Sequence, residues 1–381
     1  MAHTIVIAGA GFAGIEAALH LRDLASKKDL DIRVFDKSKY FTYQPSLHML
    51  ATGVKSKKAI TIDLELLFSK KGIRFYPEAI DKVNPKTKTI YSENRKVDFD
   101  YLIIGTGTVN NYRNVPGAPE NALCLKTLAD ADKIKNSIHH LIDKTKVYSQ
   151  PPKIVVIGTG LTGVEMAAEL ADMVKKRAQV ILVGTSSHIL KGFSFDAIGY
   201  AEKILKKKGV DLQFNKSVSK IDSSKVSFRD KSEIYSSLTI WCGGVRANPV
   251  NRRLGLRTNE YHFIMVNNFL QTNFLDVFAV GDCAYQFKTP QAMTAQTASA
   301  QGKLAAGNIW ARINDKELVS YLPKQSDYKY LVSLGKYKAF LFSQKSLLKG
   351  LIPYNIKAFV EKEFLFKRKN WIWPIKKINL K

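Results

Sequence analysis

The chain has 381 residues, 45% hydrophobic and 24% charged, which is ordinary globular composition and enough for two medium domains with a buried core. Its 59 basic against 33 acidic residues give a formal net charge of +26, which favours an anionic partner, either a membrane surface or a nucleic acid. Cys124, Cys242 and Cys283 are the only cysteines, with no CxxC pair and no His/Cys cluster, which fits a reducing compartment and argues against a structural zinc site.

The opening MAHTIVIAGAGFAG has neither a basic n-region nor a cleavage pattern, so its apolar run Ile5–Ala8 reads as a first strand. Gly9, Gly11 and Gly14 follow, then a helical pattern over Ile15–Leu24 and a strand Asp31–Phe35 that ends on Asp36. Next come a buried-strand run, Tyr101–Thr108, and the turn Val115-Pro116-Gly117, which reads as a crossing between domains. The first pattern then recurs as strand Ile154–Ile157, glycines Gly158, Gly160 and Gly163, helix Val164–Met173 and strand Gln179–Val183. Strand, glycine turn, helix, strand is the βαβ unit of a doubly wound sheet, here present twice. Apolar strands ending at Gly244 and Asp282 follow, then an Ala/Gln-rich helix over Thr294–Ile309. No apolar run reaches the ~20 residues of a spanning helix.

A strand ending in GxGxxG aims backbone N–H groups and a helix N-terminus at a pyrophosphate. Asp36 stands where a carboxylate accepts from ribose hydroxyls, completing the first fingerprint. The second turn lacks that acid: Gly184 occupies its place, with Thr185, Ser186 and Ser187 as neutral hydrogen-bonding groups and His188 or Lys191 as partners for a 2′-phosphate. Asp282 ends its strand beside a helix start, where it can accept from a flavin's ribityl chain.

With these pieces in order, the chain resembles the two-dinucleotide-binding-domain flavoproteins, and most closely the type II NADH:quinone oxidoreductases. GAGFAG with Asp36 is similar to that family's FAD fingerprint, YQPSLHMLATG (43–53) to its flavin-proximal segment with Gln44, and DYLIIGTGT (100–108), which contains Gly107, to its crossover strand. IGTGLTGVEMAAEL (157–170) resembles its NADH turn and carries Glu165, which the family places near the flavin. WCGGVRANP (241–249), with Gly244, resembles the segment over the nicotinamide, and AQTASAQG (295–302), with Gln296 and Gln301, the quinone-site helix. Three positions depart: Gly105 stands where Ala is usual, Gly184 replaces the acid, and Ala300 replaces a Gln. The related sulfide:quinone oxidoreductases need a cysteine pair beside the flavin, and Gly163–Glu165 holds none; Cys124 is expected as a buried free thiol.

The resemblance implies an α/β fold of two Rossmann-like three-layer domains, with an NAD(P)-binding domain (113–257) inserted in an FAD-binding domain (1–112 and 258–326). It implies FAD as cofactor, NADH or NADPH as co-substrate and a quinone as acceptor, with no metal. Glu165 is the candidate proton carrier for the quinone, although Glu165 and Glu169, spaced i, i+4, also fit a solvated helix face. Gln296 is the candidate donor to a quinone carbonyl. A sulfide:quinone oxidoreductase, a reductase of a small electron-carrier protein and a non-catalytic flavin sensor are the other readings.

The C-terminal region (327–381) carries ten Lys/Arg and two acids from Lys345 onward, interleaved with Ile352, Ile356, Phe359, Val360, Phe364, Trp371 and Trp373. A basic amphipathic helix with interfacial tryptophans is the pattern of a segment lying in lipid headgroups. The expectation is a peripheral protein on the cytoplasmic face of the cell membrane, bound to an anionic surface and not to nucleic acid, with a homodimer left open.

Overall fold

The computed structural model describes residues 2–143, 150–286, 291–323 and 328–369. Trp371, Trp373 and Pro374 lie outside the described residues. The chain forms two compact units: one comprises Met1–Thr42, Thr61–Val109 and Val245–Pro323, the other Tyr43–Ile60, Asn110–Gly244 and Lys324–Lys381.

The first unit is built on a five-stranded parallel sheet in the order Val277–Ala279, Tyr101–Ile104, His3–Ala8, Leu30–Phe35, Arg74–Tyr76. Its central strand explains the order, because Ile5, Val6 and Ile7 are all fully buried, as a strand covered on both faces must be. Ala8 lies opposite Phe35, so the two strands end together and the turn at Gly9 opens at their carboxyl edge. Helix Phe12–Leu24 leaves that edge and packs on helix Ala295–Ile313. The helices approach so closely that a Cβ at Gly302 would stand 2.1 Å from the Ala13 carbonyl oxygen.

The second unit repeats the plan, with parallel strands in the order Leu123–Cys124, Leu238–Trp241, Lys153–Ile157, Gln179–Val183, Asp211–Gln213. Helix Leu161–Val174 follows the second glycine turn. Both turn helices begin three residues earlier than apolar periodicity places them, because Gly14 and Gly163 lie within the first turn and carry no hydrophobic signal. Pro116-Gly117, expected at the crossing between domains, lies inside this unit, where the Pro116 carbonyl accepts from Ile221 N at 3.0 Å. The same unit includes the short helix Leu47–Ala51, an antiparallel sheet of Tyr330–Ser333, Ala339–Ser343 and Ser346–Gly350, and helix Leu351–Lys369.

That last helix is amphipathic in an unusual sense. Its buried residues are Pro353, Lys357, Glu361 and Leu365, a single i, i+4 row that takes two charges inward. Leu351, Ile352, Phe359 and Phe366 face outward, each more than half exposed. Among the described residues no helix is long and apolar enough to cross a membrane.

Candidate active site

Helix Phe12–Leu24 starts at Gly11 with no side-chain cap and no acid in its first turn. Helix Leu161–Val174 starts at Gly160 in the same state. Two other long helices are capped by side chains: Ser194 accepts from Ala197 N and Thr294 from Thr297 N. An uncapped, acid-free N-terminus leaves several N–H donors and the positive end of the helix dipole for a ligand, and an anion meets that need. The space is there too, since a Cβ at Gly11 or Gly160 would meet nothing within 4 Å. By contrast, a Cβ at Gly14 would fall 1.8 Å from the Gly9 carbonyl oxygen, and one at Gly163 would fall 1.7 Å from that of Gly158. The inner glycines close the turn and the outer ones leave it open. A dinucleotide pyrophosphate fits both cradles.

Asp36 supports the first cradle from beside the strand. Its carboxylate accepts from Ala10 N at 2.7 Å and Ser38 N at 2.8 Å, so it braces the glycine turn and keeps lone pairs for ribose hydroxyls. Burial pushes its carboxyl above the ordinary range even though those two N–H groups pull it down. Asp282 lies in the short turn Gly281–Cys283 after strand Val277–Ala279, at 3.5 Å from the Thr108 hydroxyl. Gly107 takes a left-handed φ of 63° in the adjoining turn.

A cavity of about 180 Å³ opens beside Asp282, lined also by Tyr261, Tyr285, Met293, Thr297 and Gln301. The two candidate glutamines differ sharply. Gln301 is buried and its Oε1 accepts from Gly281 N at 2.7 Å, so its carbonyl end holds the Asp282 turn in place. Gln296, in the first turn of helix Ala295–Ile313, is exposed.

In the second unit Gly158, Gly160 and Gly163 form the turn, and Gly184 ends the neighbouring strand, bonded on both sides to the Gln213–Lys216 segment. Gly244 accepts from Asn111 N at 3.1 Å, at the end of strand Leu238–Trp241. Gln44 opens a short 3-10 turn, Gln44–Ser46, and is exposed. The three cysteines are free; Cys124 is half-buried, not buried as expected, and burial raises its thiol.

The same unit holds a buried group of charges. Glu165 Oε1 accepts from Lys357 Nζ and from Ser333 N at 2.9 Å, while Oε2 lies 3.8 Å from His48 Nδ1. Glu169 accepts from the Ser333 hydroxyl at 3.3 Å. Glu361 accepts from the Ser46 hydroxyl at 2.7 Å and from Lys55 Nζ. Glu165 and Glu169 are 8% and 3% exposed, so the pair is no solvated helix face. Burial drives the Glu165 carboxyl up, but Lys357, His48 and the Ser333 N–H outweigh it and leave it below the ordinary range. Glu169, buried and close to Asp172, is pushed up to about 7. Burial lowers His48 to about 4, and its Nε2 has no hydrogen-bond partner among the described residues. The site therefore sets an ionised carboxylate beside a protonatable one, with a neutral imidazole between the first of them and the Leu47–Ala51 helix backbone. Sequence reasoning found Glu165 but missed His48, Lys357, Glu361 and Ser333. The usable signal was the row Pro353, Lys357, Glu361, Leu365, in which charges fall at core spacing.

Comparison with known proteins agrees with this geometry. Residues 3–302 match the family described as pyridine nucleotide-disulphide oxidoreductase. The type II NADH:quinone oxidoreductase of Haemophilus influenzae is 26% identical, over 88% of this chain and 86% of its own length. Some mitochondrial relatives are longer, and the chain spans 54% of their length. Among solved structures, NDH2 from Plasmodium falciparum in complex with NADH superimposes with a TM-score of 0.86 at 18% identity, over 97% of this chain and 96% of that one. The sulfide:quinone oxidoreductase of Aquifex aeolicus gives 0.84 at 22% identity, over 97% and 92%.

Proposed function

Because the chain belongs to the pyridine nucleotide-disulphide oxidoreductase family, we propose that it is an FAD-dependent NAD(P)H:quinone oxidoreductase of the type II, non-proton-pumping class. The observation that carries this reading is the pair of uncapped, acid-free helix N-termini, one on each parallel sheet. FAD held there would supply the redox chemistry that links a reduced nicotinamide to a quinone. The first unit binds FAD: Gly9, Gly11 and Gly14 receive the pyrophosphate, Asp36 the ribose, and Asp282, held by Gln301, the ribityl chain, with Gly107 in the adjoining turn. The second unit binds the nicotinamide nucleotide through Gly158, Gly160, Gly163 and Gly244. Hydride transfer asks mainly for orientation, so the glycine cradles do most of the protein's share.

Quinone reduction also takes up two protons. Gln296 donates a hydrogen bond to a quinone carbonyl; Glu165, expected to carry the proton, is held ionised by Lys357, which leaves the protonatable carboxyl to its neighbour Glu169. The acceptor lives in a membrane, and the outward apolar face of helix Leu351–Lys369 supports a peripheral position there, on the cytoplasmic face. Lys362, Lys367, Arg368 and Lys369 lie on the same helix, and each basic residue near an anionic leaflet adds about 1 kcal/mol.

The test is anaerobic mixing of the purified flavoprotein with NADH, NADPH or sulfide while following the flavin's visible absorbance. Bleaching by a nicotinamide and recovery on adding a quinone are expected. Bleaching by sulfide alone would assign the chain to sulfide oxidation instead, and no response to any donor would mark a flavin sensor.

A further inference from the structure

We infer that Thr159 sets the nucleotide selectivity of the second unit: by filling the Cβ space of Gly184 it shuts out a ribose-binding carboxylate and leaves a site that accepts NADPH as readily as NADH. The inference rests on the nicotinamide-binding role proposed above for that unit.

A Cβ added at Gly184 would lie 2.4 Å from both Thr159 Oγ1 and Thr159 Cγ2, and 2.9 Å from Thr159 Cβ. Rotation about the Thr159 Cα–Cβ bond moves the first two atoms but not the third, so no rotamer opens the position. Nor can Thr159 retreat along the backbone. Its carbonyl accepts from Leu190 N at 2.8 Å, and Gly158 just before it is held by its N–H bond to Val183 O at 2.8 Å. Gly184 is equally fixed, donating to Gln213 O at 3.0 Å and accepting from Lys216 N at 2.9 Å. Yet Gly184 has no left-handed φ. Its backbone suits any residue, and the three atoms nearest to an added Cβ all belong to Thr159.

The surroundings decide what such a site prefers. From Gln179 to Ser194 there is no Asp or Glu, so no carboxylate in this loop repels a 2′-phosphate. Lys191 is exposed and makes no ion pair among the described residues. Lys216 is already committed to Asp230 at 2.5 Å. Thr185 and Ser187 are exposed at the strand end, hydroxyls that serve a ribose hydroxyl or a phosphate oxygen equally well. Lys191, without an ion pair among the described residues, and several neutral donors accept the extra phosphate without requiring it.

The experiment is calorimetric titration of the FAD-loaded full chain with NAD⁺ and NADP⁺, which bind without turnover. The expected dissociation constants lie within about tenfold of each other. A preference for NAD⁺ larger than that would overturn the inference while leaving the proposed function standing. Failure of both nucleotides to bind would overturn the proposed function itself. Two variants then test the steric mechanism. Thr159→Gly combined with Gly184→Glu is expected to move the ratio toward NAD⁺ by at least about tenfold, and Gly184→Glu alone to weaken both nucleotides. An unchanged ratio in the double variant, or the same gain from Gly184→Glu alone, would show that Thr159 blocks nothing.

Discussion

Lys357 donates directly to Glu165 although 192 residues separate them, and both side chains are only 11% exposed. Two buried charges that compensate each other differ greatly from one that is left alone. Lys357→Met strands the Glu165 carboxylate and is expected to cost about 3–5 kcal/mol. Adding Glu165→Gln to it should recover most of that loss, because the orphaned charge is gone. Urea denaturation of both variants measures the difference; equal destabilisation would mean that the pair is not coupled.

Two groups in the same cluster give opposite pH dependences. His48 falls from 6.5 to about 4 on folding, so its contribution is complete above pH 6.5 and is lost as pH falls toward 4. Glu169 rises from 4.5 to about 7, so it favours the folded state below pH 4.5 and progressively less as pH rises to 7. In the native protein these slopes largely cancel between them. Glu169→Gln should therefore expose a stability that rises with pH up to about 6.5, and His48→Gln one that falls with pH up to about 7, each at roughly 1.4 kcal/mol per unit at most. Denaturant midpoints across that range read both signs; identical profiles would contradict the assignment.

The two glycine turns can be disabled separately. A Cβ at Gly14 would lie 1.8 Å from a carbonyl oxygen, so Gly14→Ala should yield protein purified without flavin. Gly163→Ala, with the corresponding 1.7 Å clash, should retain FAD yet lose nicotinamide binding. Flavin absorbance and nucleotide titration separate the two outcomes, and loss of flavin in Gly163→Ala would argue against the division of labour.

Phe359 and Phe366 are 66% and 54% exposed, so replacing both with Glu should change stability by no more than about 0.5 kcal/mol each. Vesicle affinity should respond far more, because burying each ring in lipid is worth about 1.5–3 kcal/mol. A drop of at least about tenfold in binding to anionic vesicles is expected, with the remaining affinity weakened by salt. Unaltered binding would place the membrane contact elsewhere.

The paired βαβ units, their glycine turns, Asp36 and the missing acid at Gly184 are all legible in the sequence. The reason is locality: a strand, a tight turn and a helix start are fixed by neighbours in the chain, and glycine has few other reasons to recur at that spacing. Glu165 was visible through the family resemblance and as one acid of an i, i+4 pair, but without its partners. Tertiary packing decided the rest, since it alone brings Lys357, Ser333 and His48 to that carboxylate and turns Lys357 and Glu361 inward while their apolar neighbours face out. It also gave Gly184 its cause. A sequence shows that an acid is absent; only the packed turn shows Thr159 occupying the place where that acid's side chain would begin.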